Sequence, residues 1–183
     1  EYNIQDELAY YWKAGYDKYL TDNLRVRATF SGYHVGKGHS GSYLWAGDRA
    51  GARYYSVMQT ADAEGDNFRS GRWSPGSGQS EMNSYMANLF VKFHGLELFG
   101  IYEIMKGVNR DNNQQFTQTA IQAIYRTGSF YFGTRLNKVS DNENSSVNRF
   151  NIGGGWHMVP KTLLVKLDYI NQKYEGTAHG ELD

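Results

Sequence analysis

The sequence holds no cysteine. That excludes a disulfide framework and any thiolate metal site, and it is compatible with an oxidising, periplasm-facing setting. Proline is scarce, at two residues, so little interrupts extended pairing. An excess of one charge sign is also missing: 19 Lys and Arg balance 19 Asp and Glu, which removes any bulk attraction to nucleic acid. Long apolar runs are absent, so no transmembrane helix is expected. The five histidines, His34, His39, His94, His157 and His179, lack metal-ligand spacing, and neither a metal nor a cofactor is expected. What is plentiful is glycine (21), tyrosine (15), phenylalanine (9) and tryptophan (4), a turn-rich and β-favouring composition. With 183 residues the chain has room for one domain. Its mean hydropathy of −0.65 resembles that of a soluble protein, yet a membrane barrel, apolar only at every second residue, is compatible with it. Neither an initiator Met nor a signal peptide precedes Glu1, so the chain is expected to begin as a processed or cut product.

The clearest pattern lies in residues 82–107, MNSYMANLFVKFHGLELFGIYEIMKG. Taken two at a time, Tyr85, Ala87, Leu89, Val91 and Phe93 separate from Ser84, Met86, Asn88, Phe90 and Lys92. Beyond His94-Gly95, Leu96, Leu98, Gly100, Tyr102 and Ile104 separate from Glu97, Phe99, Ile101 and Glu103. A period of two predicts strands, and the two-residue break, with glycine available for positive φ, predicts a tight hairpin. Similar alternation runs through 8–20, 24–35, 116–126, 130–139, 147–158 and 162–173. Eight strands are therefore predicted. Their connections alternate between tight (21–23, His94-Gly95, 127–129, 159–161) and longer (36–81, 108–115, 141–146). Within 36–81 only 52–60 reads as ordered, a short strand or helical turn, and a loop this long is uncommon without a task.

Short turns on one rim and longer loops on the other are the asymmetry of an all-β, antiparallel up-and-down transmembrane barrel, whose periplasmic turns are short. If the tight turns are periplasmic, both chain ends lie on the extracellular rim. Bacterial single-chain barrels of this kind start and finish in the periplasm, so the chain is expected to be part of a larger barrel of at least ten strands. The whole of 1–183 is read as one incomplete barrel domain with a long extracellular loop at 36–81.

The chemistry of such a wall lies in its inward charges. The more polar face of the predicted strands carries Lys13, Arg25, Arg27, Lys92, Arg126, Arg135, Arg149 and Lys166 against Asp17, Glu97, Glu103 and Asp168. Rings of Arg and Lys favour anions; the competing reading is that these charges pair across strands and hold the wall together, as Lys92 and Glu97 beside one turn are placed to do. The long loop could fold inward, lining a constriction with Arg49, Arg53, Tyr54, Tyr55, Arg69, Arg72 and Trp73; it could instead cover the mouth, meet a partner or stay solvated. Tyr10, Trp12, Tyr16, Phe30, Phe93, Tyr102, Tyr125, Phe130, Trp156 and Tyr169 fall on the apolar faces, where membrane interfaces favour aromatic anchors. A soluble barrel would bury those same faces as its core.

Three further patterns carry less. The run 36–41, GKGHSG, matches GxGxxG, but no βαβ unit follows it. Asp62, Glu64 and Asp66 have part of a calcium-loop spacing without the rest of it. His34 or His39 with loop serines could form a hydrolase-like rim site, and nothing specific supports one. No catalytic residue and no enzyme activity is expected.

The segments GDRAGARYYSVM, FVKFHGLELFGIYEIMKG and GGGWHMVPKTLLVKLDYINQKYEG resemble a porin-like outer-membrane family of the Bacteroidetes, related in pattern to phosphate-selective porins. The resemblance spans most of residues 24–176, and its most specific part is the hairpin of 90–107. It implies a bacterial outer-membrane location and passive solute passage. The function expected is a porin-like channel for small hydrophilic solutes, anions among them, with outer-membrane lipids as its surroundings and a second copy or other outer-membrane proteins as candidate partners. The alternative is a structural or assembly subunit of an outer-membrane complex whose long loop docks a partner protein.

Overall fold

A computed structural model describes residues 8–40, 79–108, 113–159 and 162–175. Eight strands follow one another: β1 (Ala9–Thr21), β2 (Leu24–Ser40), β3 (Gln79–Phe93), β4 (Leu96–Val108), β5 (Asn113–Thr127), β6 (Phe130–Asp141), β7 (Ser146–Val159) and β8 (Leu163–Glu175). Each pairs antiparallel with the next, in the order β1 to β8. This is an all-β up-and-down sheet, and no helix occurs among the described residues. Among the described residues no ladder joins β1 to β8, and both are edges of an open sheet.

The alternation sorts the side chains as the period of two requires. On one face Tyr16, Leu89, Leu98, Ile121, Leu136 and Tyr169 stand exposed. The opposite face is the sheltered one, as β6 illustrates with its strict exposed–covered alternation from Phe130 to Val139. The ten aromatics expected on the apolar face are all exposed. Some of them gather toward the two rims, while Tyr16 stands in the middle row beside Ala28. Trp12 packs on Phe30 (4.8 Å) and Tyr85 (6.2 Å) toward the far rim, and Phe130 stacks with Trp156 (5.9 Å) beside the tight turns.

Three turns make up most of the near rim, and each is tied to the following strand. The amide of His94 donates to Asn23 O (3.2 Å), that of Arg126 to Gly95 O (2.8 Å) and that of His157 to Ser129 O (2.9 Å). Glycine at 95 has a different reason from the one expected. The positive φ in that turn belongs to His94, at 50°. Gly95 is needed for close approach, because a Cβ there would collide with the carbonyl of Arg126. Gly95→Ala is therefore expected to weaken the β4–β5 rim contact, speeding amide hydrogen exchange at Arg126 by about fivefold while that of β7 stays unchanged; this corresponds to losing one backbone hydrogen bond of about 1 kcal/mol.

The strands run longer than the alternation alone suggests, and this corrects the loop lengths. β5 starts at Asn113 and β7 at Ser146, so the far-rim connections 108–115 and 141–146 shrink to 109–112 and 142–145. The second is itself a compact turn: Asp141 Oδ1 accepts from the amides of Glu143 (2.9 Å) and Ser145 (2.8 Å), and Asn144 takes φ of 65°. Rim asymmetry thus rests on the connection between β2 and β3 alone. The GKGHSG run continues β2 as far as Ser40, a strand where a phosphate-binding loop would need a turn into a helix.

Register reveals an obliquity that alternation cannot. On the apolar face, Trp12, Gly32, Tyr85 and Ile104 lie in one register row that continues as Thr117, Ser140, Ser146 and Glu175. The row Ala14, Phe30, Ala87 and Tyr102 likewise continues as Thr119, Lys138, Asn148 and Lys173. The apolar band therefore steps toward the tight turns from β5 onward, where Phe130, Trp156 and Val165 extend it. The sheltered face steps the same way. Its buried cluster, Met82, Met105, Phe116, Val139 and Val147, with Val35 beside Met82, moves one row with each pair of strands: Val35–Met82, then Met105–Phe116, then Val139–Val147. Two features on opposite faces drift together by about one residue per strand, the stagger that tilted barrel strands have.

Candidate functional site

The eleven residues expected to line a lumen, Lys13, Arg25, Arg27, Lys92, Glu97, Glu103, Arg126, Arg135, Arg149, Lys166 and Asp168, share one face of the sheet, together with Asp17. They are not spread evenly. One row aligns Arg25, Lys92, Glu97, Ile124, Gly133, Gly153 and Asp168 near the tight turns. The next aligns Asp17, Arg27, Phe90, Phe99, Gln122, Arg135 and Asn151. Toward the far rim the same face turns apolar, into the Met82–Val147 cluster. The face is charged at one end and apolar at the other, and only the charged end was legible as a site.

Pairing accounts for part of the charge. Arg25 grips Asp17 with both ends of its fork, Nε to Oδ1 at 2.8 Å and Nη2 to Oδ2 at 2.6 Å. Glu97 receives Lys92 (3.6 Å) and Arg126 (3.4 Å), so the pair expected across the His94-Gly95 turn forms and gains a third member. Lys166 meets Asp168 along its own strand at 2.5 Å. Glu103 is buried and accepts from Ser84 Oγ at 2.9 Å. The carboxylates Asp17, Glu97 and Asp168 are thus all engaged by cations. Arg27, Arg135 and Lys13 have no ion pair among the described residues, and Arg149 bonds Asn151 Oδ1 at 3.1 Å. The exposed remainder of this face is positive.

Glycine shapes the charged end. A Cβ at Gly155 would enter the ring of Tyr131, and one at Gly153 would enter the carboxylate of Asp168. Tyr131 thus lies against bare backbone, with the Arg126 guanidinium 5.6 Å from its ring centroid. A groove of about 210 Å³ opens here between Gln122, Tyr131, Arg135, Asn151, Lys166 and Asp168.

The expected constriction residues, Arg49, Arg53, Tyr54, Tyr55, Arg69, Arg72 and Trp73, lie outside the described residues, as do 52–60 and the acidic Asp62, Glu64 and Asp66. Among the described residues no three His, Asp or Glu side chains gather as metal ligands. His34 lies 2.8 Å from Asn83 Oδ1 through Nδ1, and His157 is beside Tyr131. No described helix is long and apolar enough to cross a membrane, which leaves crossing by strands untouched.

The fold defines an antiparallel meander with one apolar exposed face and one charged sheltered face. Comparison with family models, with curated proteins and with solved structures finds no match for the chain.

Proposed function

We propose that these eight strands form wall of a bacterial outer-membrane β-barrel, and that the barrel is a porin-like channel passing small hydrophilic solutes, anions preferentially, by diffusion. The observation that carries the reading is the inversion of the two faces. Leu167 is 81% exposed and Leu89 52%, while Glu103, at 1%, is covered. A soluble sheet buries its apolar face, and an exposed apolar surface of this extent marks a membrane or partner contact. The oblique band, the exposed aromatics toward both rims and the stagger fit a tilted wall around a polar lumen. Arg27, Arg135 and Lys13, which form no ion pair among the described residues, supply the anion bias. The reading uses no catalytic residue, cofactor or energy source.

Reconstituted into planar bilayers, the protein is expected to give stepwise ionic current, with a reversal potential in a KCl gradient displaced toward that of chloride. Membrane insertion without current would sink the channel reading and favour the alternative, a structural or assembly subunit of an outer-membrane complex whose long loop docks a partner protein.

A further inference from the structure

We infer that the channel's preferred solutes are organic anions with a flat apolar body, aromatic carboxylates being the simplest, and that they bind along the row Arg27, Phe90, Phe99, Gln122 and Arg135. This rests on the channel reading and narrows it. The five residues are successive register partners across β2 to β6, all on the charged face. All five side chains are exposed or half-buried. Phe90 and Phe99 stand directly opposite each other, with Ile101 on the same face one row away. An apolar pair in the middle of a charged, water-facing wall hinders bare inorganic ions, which gain nothing from it and lose hydration beside it.

Both ends of the row keep binding capacity. The Arg27 guanidinium lies 5.6 Å from the Phe90 ring centroid. Its register partner Asp17 has both oxygens taken by Arg25. Among the described residues Arg135 has one long contact, 3.4 Å, to Gln122. Neighbouring strands are about 4.8 Å apart, so one ring can rest on the phenylalanine pair while its carboxylate reaches a guanidinium. Arginine presents a planar fork that fits a carboxylate with two hydrogen bonds, and aromatic rings prefer offset or edge contacts with another ring. A small inorganic anion would use the arginines alone, and a neutral aromatic the rings alone. An aromatic carboxylate uses both.

The test compares benzoate with acetate, which carry the same charge and differ by the ring. In planar bilayers, benzoate is expected to block chloride current at about fivefold lower concentration than acetate, the factor one ring contact supplies. Phe90→Leu with Phe99→Leu, which keeps apolar bulk, should erase the difference. Arg27→Gln with Arg135→Gln should weaken both acids. Current on which benzoate and acetate act alike overturns the inference and leaves the channel standing. If no current appears, the channel reading fails separately, and equilibrium dialysis of benzoate against the folded protein in detergent decides the stripe: equal uptake by the wild type and the double Leu variant overturns it.

Discussion

Leu89→Arg is expected to lower the stability of the protein in a lipid bilayer by about 2–4 kcal/mol, the penalty for a cation on the lipid face of a barrel near the midplane. Leu89 sits midway along the apolar stretch of β3, in a row with Tyr16, Ala28, Gly100, Ile121 and Leu136. That row has Trp12 and Tyr85 on one side of it and Phe93 and Tyr125 on the other. Thr119→Arg is the matched control. It lies on the same face in β5, where the row has already turned polar toward Lys138 and Asn148, and should change stability by less than about 0.5 kcal/mol. Urea titration of both variants in lipid vesicles, followed by tryptophan fluorescence, measures the difference. If Leu89→Arg is as quiet as Thr119→Arg, the apolar face does not meet lipid.

Gly153→Val should cost about 2–3 kcal/mol by overpacking. The new Cβ would strike the Asp168 carboxylate and come within 2.7 Å of the Leu167 carbonyl. The first obstacle could swing away, at the expense of the Lys166 contact. The second is backbone, so β8 itself must shift. Gly100→Ala provides the contrast, since nothing lies within 4 Å of a Cβ there; relief of glycine's unfolded-state entropy should make it neutral or stabilising by about 0.5 kcal/mol. Equilibrium unfolding of the two variants in detergent checks both signs. Equal effects would mean that the glycines of β7 are not there for space.

Strand existence and facing were legible because a period of two is written in consecutive residues. Tyr85 to Phe93 and Leu96 to Ile104 fall on the apolar face as the alternation predicts, and Lys92 meets Glu97 across their turn. Strand ends were less so. Asn113, Gln114 and Gln115 look like loop by composition, yet they pair with Val108, Gly107 and Lys106, since an established ladder extends through polar residues once the neighbouring strand continues. Register was legible only across the His94-Gly95 turn. It depends on turn geometry, and without it neither the oblique band nor the stepping Met82–Val147 cluster could be seen. Valine and methionine at the far end of a charged face look like breaks in the pattern until neighbouring strands bring them together. The need for glycine at 95 is hidden from its own turn because the collision it avoids is with Arg126, 31 positions away. The row of Arg27 and Arg135 draws on five strands, and no window of sequence contains it.

The β2–β3 ladder differs from the others in the length of chain it closes. Every other ladder of the meander joins strands separated by only a few residues, so six strands, β3 to β8, can assemble as successive local hairpins. Register between Ser40 and Gln79 must instead be found across residues 41–78. In the unfolded chain that closure is roughly three doublings longer than a four-residue connection, an entropic penalty of about 2 kcal/mol more. Because non-local pairing has to be reached before it is rewarded, the β1–β2 hairpin is expected to join last during folding. Its late arrival would leave the β3 edge open, the position at which misassembly of this chain would begin.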